Sequence, residues 1–201
     1  IRSCLVGSEM CIRDRDRTEG VAAAMAALMV AAEGAALGLF TSIQRLRATW
    51  PDLTRRLAKA DIPLYAQHID RMNLQTLLQL FREDRRSALI GTDAVRDGVD
   101  VPGDALRMMI YERVPWPRPD MLFRARSAWQ GRDAWTDRIT RMKLRQAFGR
   151  LIRRADDKGV FVMLDSRMPT RLATAFPKDV EIVRCGLAEV IAETKVFLSE
   201  V

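Results

Sequence analysis

The sequence predicts an α/β fold in which helices cover both faces of a mostly parallel sheet. Short apolar runs alternate along the chain with amphipathic stretches of helical period, and the connections between them are short. The apolar runs are continuous rather than alternating, which is typical of strands buried on both faces. With 201 residues, of which 48% are hydrophobic, the chain is large enough for one domain with a substantial core.

The first half of the chain is predicted to repeat a strand followed by a helix. Leu74, Leu77, Leu78 and Phe81 recur at helical spacing, which indicates an amphipathic helix with one buried face. Pro51 falls inside another helical stretch and is expected to break or kink it. In order, we predict a helix over 18–33, a strand over 36–40, a helix over 43–60, a strand over 62–66, a helix over 73–82 and a strand over 87–90.

The second half continues the pattern after a loop predicted over 91–103. A proline-rich stretch over 114–119 must be extended and stiff. Asp133 is the predicted N-cap of a long helix that runs to about residue 154, with Trp135, Ile139, Met142 and Leu151 on its buried side. The other predicted elements are a strand over 105–111, a helix over 120–130, a strand over 159–165, a short helix near 171, a strand over 180–183 and a helix over 187–198.

Polar residues follow a regular pattern near the end of the long helix. On a helix, Gln146, Gly149, Arg150 and Arg153 share one face, at i, i+3, i+4 and i+7. Guanidinium groups are fork-shaped donors suited to bidentate capture of phosphate oxygens. The alternative is a solvated basic helix face.

Two loops at the carboxyl ends of predicted strands also carry functional residue types, and in parallel sheets ligands bind at such ends. Thr41 and Ser42 begin a helix, where hydroxyls and free amides suit a phosphate oxygen, although an ordinary N-cap has the same composition. The loop over 91–103 holds three glycines, three carboxylates and a proline, more than a turn requires. A plain connecting loop remains the alternative there.

The chain is basic, with a net charge of +7 and a pI of about 9.9. A basic surplus favours polyanionic partners such as nucleic acid. Three cysteines form neither a disulfide framework nor a spaced metal cluster, which predicts a cytoplasmic protein. The single histidine excludes His-rich metal sites in this chain, and no apolar run is long enough for a transmembrane helix.

Residues 1–15 differ from the rest and are predicted to be a non-native stretch, with the domain over 16–201. They show no clear helical or strand period, and residues 4–15 resemble translated sequencing-adapter read-through. We therefore expect that the true chain continues upstream. The stretch holds three arginines and two acidic residues, so the net charge without it falls only to +6 and the basic character belongs to the domain.

Taken together, these stretches resemble the carboxyl-terminal motor domain of superfamily two DNA helicases of the DinG/XPD type. Residues 39–42 look like helicase motif IV, and residues 91–103 look like motif V. Asp97 stands where the family's motif V usually has Glu. Residues 115–119 are similar to the family's proline-rich stretch, and residues 146–153 fit motif VI at every defined position.

The resemblance extends over about residues 18–198. It implies a RecA-like, P-loop NTPase-type three-layer fold, the second of two such domains that clamp ATP between them. Gly149 would allow the motif VI helix to approach its neighbours closely. The resemblance implies catalytic roles for Arg150, Arg153 and Gln146, nucleotide contacts for Asp97, Gly98, Asp100 and Gly149, and contacts with single-stranded DNA for Thr41, Ser42 and Thr92.

The implied function is therefore half of a motor, the second domain of an ATP-dependent DNA helicase acting on single-stranded or forked DNA, away from membranes. The chain has no Gly-x-x-x-x-Gly-Lys-Ser/Thr loop and no Asp-Glu-Ala-His box, so ATP and Mg²⁺ are expected to be bound mainly by a missing first motor domain. An iron–sulfur cluster, if the parent protein has one, is expected there too, and the fragment alone is expected to be inactive. The alternative is a stand-alone nucleic-acid-binding module without ATPase activity. A Rossmann-type enzyme is disfavoured because no Gly-x-Gly-x-x-Gly turn follows the first strand.

Overall fold

The computed structural model describes residues 2–6, 18–99, 105–154 and 157–199. Within these ranges the chain forms a seven-stranded parallel sheet. The strands are β1 Arg2–Val6, β2 Ala36–Leu39, β3 Leu64–Ala66, β4 Ala88–Gly91, β5 Met108–Tyr111, β6 Val160–Met163 and β7 Glu181–Cys185. Their order across the sheet is β3-β4-β2-β5-β6-β1-β7.

Seven α-helices and one 3₁₀ helix connect these strands in the described part of the chain. Ser42, Asn73 and Asp120 act as N-caps, each accepting a hydrogen bond from the backbone N–H three residues further on. None of the described helices is long and apolar enough to cross a membrane. The helices are α1 Thr18–Ala31, α2 Ile43–Ala58, α3 Leu74–Glu83, α4 Asp93–Gly98, α5 Met121–Gln130, α6 Arg132–Leu151, the 3₁₀ helix Thr170–Ala175 and α7 Leu187–Ser199.

The sheet separates two hydrophobic cores, which confirms the predicted three-layer α/β fold. Successive strand side chains point to opposite faces. In β6, for example, Val160 and Val162 belong to one core, and Phe161 and Met163 to the other. Helices α1, α2 and α7 cover the first face, while α3, α4, α6 and the 3₁₀ helix cover the second.

Of the break or kink expected at Pro51, the break was wrong, because α2 continues through this residue over Ile43–Ala58. A proline inside a helix costs about 3 kcal/mol or more. Leu46, Leu53 and Leu57 on the same helix are fully buried against the sheet, and that burial offsets the cost.

The loop predicted over 91–103 contains the short helix α4, so the prediction of continuous loop was wrong for residues 93–98. Buried Val95 anchors this turn of helix in the core. Asp100, Pro102 and Gly103 lie outside the described residues.

The long helix also differs from its predicted bounds, since α6 spans Arg132–Leu151. Gly131, with φ of 82°, precedes it, and Asp133 lies in its first turn instead of capping it. At the other end, the carboxylate of Asp157 accepts hydrogen bonds from the N–H groups of Arg153 and Arg154, and this competes with continuation of the helix. Leu151 is buried as predicted, but Met142 is 47% exposed.

The segment predicted to be non-native, residues 1–15, contributes strand β1. It pairs with β6 on one side and with β7 on the other, both in parallel register.

Candidate functional site

The carboxyl ends of the central strands meet at the point where the strand order reverses. From β2 the chain proceeds to β3 and β4 on one side, and from β5 it proceeds to β6 on the other. Such a switch point opens a crevice at the ends of the strands. Thr41 follows β2, Thr92 follows β4 and Glu112 follows β5, so these three residues line neighbouring strand ends.

Thr41 is held by a buried carboxylate. Its hydroxyl donates to Glu112 Oε1 at 2.7 Å, and the Glu112 side chain is fully buried. Arg45 Nε donates to both carboxylate oxygens, at 2.7 and 3.0 Å. Ser42 caps helix α2 by accepting a hydrogen bond from the N–H of Arg45 at 3.2 Å, which leaves the hydroxyl proton of Ser42 available as a donor. The sequence indicated the hydroxyls but missed Arg45 and Glu112.

Thr92 is held in the same manner by the side chain of Gln67. Both the backbone N–H and the hydroxyl of Thr92 donate to Gln67 Oε1, at 3.0 and 3.1 Å. A hydroxyl has one proton, so Thr41 and Thr92 have both committed theirs inside the protein. Each oxygen therefore offers lone pairs, and not a proton, to a ligand.

Helix α4 is organised around Arg96, whose side chain is buried. Arg96 donates to Asp93 Oδ1 at 3.0 Å and to Asp97 Oδ1 at 2.8 and 2.9 Å. These contacts fix the direction of the exposed Asp97 carboxylate. Gly98 is exposed, and a Cβ there would approach Leu78 Cδ1 to 3.3 Å. Sequence reasoning missed Arg96, because a lone arginine in a polar segment gives no sign of burial.

The side chains of Arg150 and Arg153 both contact the backbone at the C-terminal end of helix α4. Arg150 Nη2 donates to the carbonyl oxygen of Asp97 at 3.2 Å, and Arg153 Nη2 donates to that of Val99 at 3.3 Å. The expected helical face is wrong for Arg153, which lies beyond the last residue of α6. The two guanidinium groups nevertheless converge on one stretch of backbone.

The backbone at Arg153 is fixed by the carboxylate of Asp157. The N–H groups of Arg153 and Arg154 donate to Asp157 Oδ2 at 2.8 and 2.9 Å. The bond from Arg154 is the largest cause that lowers the pKa of Asp157, and the bond from Arg153 adds to it against a partial desolvation. A charged Asp157 thus stabilises the turn that presents Arg153.

Gln146 and Gly149 lie on the exposed side of α6. A Cβ added to Gly149 would meet nothing within 4 Å among the described residues, so the expected close approach of this helix to a neighbour does not occur within them. An exposed amide, an open surface and two guanidinium groups form a donor set that fits the anionic oxygens of a phosphate chain.

A cleft of about 540 Å³ opens beside the switch point, and we call it the aromatic cleft. The ends of β2 and β4 form its floor, the proline-rich segment one wall, and helices α5 and α6 the other. Lys143 in this wall forms an ion pair with Asp93 Oδ2 at 3.0 Å. The residues that line the aromatic cleft are Phe40, Thr41, Ile43, His68, Thr92, Asp93, Pro115, Trp116, Pro117, Arg118, Asp120, Phe123, Arg126, Trp135, Ile139 and Lys143.

The chain is similar to a known protein family. A profile described as the helicase C-terminal domain matches residues 25–182. The chain belongs to this family. The match spans most of the chain and includes the switch-point residues, helix α4 and both arginines, Arg150 and Arg153.

Among individual family members, the chain is 38% identical over 153 residues to the ATP-dependent helicase DinG of Mycobacterium tuberculosis. That alignment covers 73% of this chain and 22% of the relative, so the chain spans about a fifth of the relative's length. Two solved structures share the fold. S. tokodaii Xpd4 gives a TM-score of 0.58 at 18% identity, over 90% of this chain and 37% of the other. S. cerevisiae Dbp5 gives 0.63 at 15% identity, over 98% and 45%.

The family match and the DinG relative confirm the predicted resemblance to DinG/XPD-type helicases. The two solved structures confirm the predicted RecA-like three-layer fold. In this domain, Thr92 lies at the start of residues 92–99, and Arg150 and Arg153 contact the end of the same segment.

Proposed function

We propose that this chain is the second motor domain of an ATP-dependent DNA helicase, and that it supplies arginine fingers to an ATP held by a first motor domain. The observation that carries the proposal is the convergence of Arg150 and Arg153 on the backbone of residues 97–99. The identity to a relative named as an ATP-dependent helicase supports the reaction class. Membership of the helicase family disfavours a stand-alone binding module.

The two arginines would act by neutralising charge. When bound, ATP would supply the γ-phosphoryl group for transfer to water, with Mg²⁺ held mainly by the first motor domain. Arg150 and Arg153 would donate to phosphate oxygens, where arginine fingers contribute about 10³ to 10⁵ in rate. Gln146 would orient the attacking water or contact the phosphate, and the open surface over Gly149 would admit the nucleotide.

The end of helix α4, which lies beside Arg150, would also contact the nucleotide. The Asp97 carboxylate is exposed and oriented by Arg96, and the backbone at Gly98 is open to solvent, so both are accessible to a nucleotide. We propose the same role for Asp100, two residues after Gly98 in the sequence. An iron–sulfur cluster, if the full-length helicase has one, would belong to the first motor domain.

The partner at the switch point would be single-stranded or forked DNA. Ser42 retains a hydroxyl proton for a phosphate oxygen, and it stands at the N-terminus of a long helix, where anions are favoured. Thr41 and Thr92 lie on the adjoining strand ends and would contact the same strand of DNA. The cysteine usage favours a cytoplasmic setting.

Measurement of DNA-stimulated ATP hydrolysis by the full-length helicase tests the arginine fingers. We expect Arg150→Ala and Arg153→Ala each to lower the rate by about 10³-fold or more, because charge at the phosphate is no longer neutralised. Affinity for single-stranded DNA should be nearly unchanged. Arg138→Ala, an exposed arginine on the same helix, is the matched control and should retain activity. Unchanged turnover in Arg150→Ala and Arg153→Ala would remove the assignment.

A further inference from the structure

The aromatic cleft has a composition that phosphate contacts alone do not explain. Besides the buried Phe40, three aromatic side chains line it, those of Trp116, Phe123 and Trp135. Its volume of about 540 Å³ lies in the range of about 300–1,000 Å³ that small-molecule sites occupy. A groove that followed only a sugar–phosphate backbone would require cations and hydroxyls but no rings.

Two of these aromatic residues, Trp116 and Trp135, have constrained surroundings. Trp116 is 39% exposed, and it stands between Pro115 and Pro117, which restrict the backbone on both sides. The guanidinium carbon of Arg126 lies 5.6 Å from the ring centre of Trp135, a cation–π distance. The backbone that carries Trp116 is therefore ordered before a ligand binds, which limits the conformational entropy lost on stacking.

The polar side of the cleft also favours a ligand that donates hydrogen bonds. Thr41 and Thr92 line the cleft, and both hydroxyl protons are directed away, to Glu112 and Gln67. What remains on each oxygen is a pair of acceptor positions. Phosphate diesters carry no hydrogen-bond donor, whereas nucleobases carry N–H groups on their Watson–Crick edges.

We propose that the aromatic cleft binds an unpaired nucleobase, which stacks on Trp116 and donates an N–H group towards the hydroxyl oxygen of Thr41 or Thr92. The inference rests on the proposed function in one respect, namely that single-stranded DNA passes the switch point. It adds that the strand is held there by its bases as well as by its phosphates. Stacking of this kind tolerates every base, because each has a π-face.

Two oligonucleotides of the same length and charge test the proposal. The 201-residue chain is titrated, without ATP, against a thymidine oligonucleotide and against an abasic oligonucleotide that lacks only the bases. We expect the thymidine strand to bind about 5- to 150-fold more tightly, the range that corresponds to about 1–3 kcal/mol for one stacked base. An equal affinity for the two strands would overturn the proposal.

Substitutions then locate the base. Trp116→Leu should remove most of the preference for the thymidine strand while leaving the affinity for the abasic strand unchanged. Trp116→Phe keeps an aromatic ring and should retain the preference, which separates stacking from a loss of folding. Trp129→Leu is the matched control, since Trp129 is 84% exposed on α5 and does not line the cleft.

If Trp116→Leu and Trp129→Leu give the same preference, the aromatic cleft is not the base site. Failure of this test and failure of the proposed function are distinguishable. The binding experiment involves no nucleotide hydrolysis, whereas Arg150→Ala reports only on hydrolysis by the full-length helicase. A chain that binds neither oligonucleotide would overturn the base site and leave the arginine fingers to be judged by their own experiment.

Discussion

Replacement of Glu112 by glutamine should destabilise the domain much more than replacement of an ordinary surface carboxylate. The Glu112 side chain is fully buried and accepts from the hydroxyl of Thr41 and from Nε of Arg45. A glutamine at this position would have the same size but no charge, and its NH₂ group would face a guanidinium donor. Within the described residues, Arg45 Nη2 is buried without a hydrogen-bond partner, so Glu112 is the main anchor of this cation.

The magnitude follows from the burial of the two partners. Breaking a fully buried ion pair costs about 3–5 kcal/mol, and an exposed pair contributes about 0–1 kcal/mol. The Arg45 side chain is 22% exposed, so water can solvate it in part and the cost falls below the buried limit. Weakening the bond from Thr41 to a charged acceptor adds to it. We expect Glu112→Gln to lower the free energy of unfolding by about 2–4 kcal/mol.

Chemical denaturation of the 201-residue chain measures this loss. A double-mutant cycle with Arg45→Leu should give a coupling free energy of about 1–3 kcal/mol between the two side chains. Asp52→Asn is the matched control, because Asp52 pairs with two exposed arginines on α2, Arg55 and Arg56, and its loss should cost about 0–1 kcal/mol. A loss for Glu112→Gln no greater than that for Asp52→Asn, with no coupling to Arg45, would refute the reasoning.

Two further predictions concern the backbone. The pKa of Asp157 is lowered in the folded state, so its contribution to stability is present above the unfolded pKa of about 3.9 and is lost as pH falls through the folded pKa. Denaturation curves should therefore show Asp157→Asn less stable than the wild type at about pH 7 and equally stable in strong acid; a pH-independent difference would contradict this. Gly34 has φ of 83°, and a Cβ there would lie 2.1 Å from the carbonyl oxygen of Arg86, so Gly34→Ala should lower the free energy of unfolding by more than about 1–2 kcal/mol. Gly149→Ala, where a Cβ meets nothing within 4 Å, should instead raise it by about 0.5–1 kcal/mol, and the opposite order of the two alanine variants would be inconsistent with this backbone.

Local signals in the sequence were sufficient for most strands and helices, although they missed β1 and α4 and placed the cap of α6 at Asp133. The continuous apolar runs predicted the buried strands, and the cap expected at residues 41–42 lies at Ser42. The helices predicted to start at 73 and 120 begin directly after caps at Asn73 and Asp120. A cap depends on residues three positions apart, so it can be read from the sequence alone. The same locality explains why the three-layer architecture could be predicted.

Contacts between distant residues were not predictable in this way. Glu112 meets Thr41 and Arg45 across about seventy positions of chain, and Gln67 meets Thr92 across twenty-five. The early end of α6 has a similar cause, since the carboxylate of Asp157 removes two amides from the helix. Which acceptor takes an amide or a hydroxyl proton depends on the folded neighbourhood, and single-residue preferences do not contain it.

The short helix α4 connects the aromatic cleft to Arg150. Its six residues span about 9 Å at about 1.5 Å per residue. One end is tied to α6 through Asp93 and Lys143, and the other holds Arg150 through the carbonyl of Asp97. A helix of fewer than two turns has little length over which to bend, so we expect its two ends to move together. In the proposed motor domain, α4 would then couple the position of Arg150 to movements at the aromatic cleft, and the coupling would depend on the rigidity of this helix.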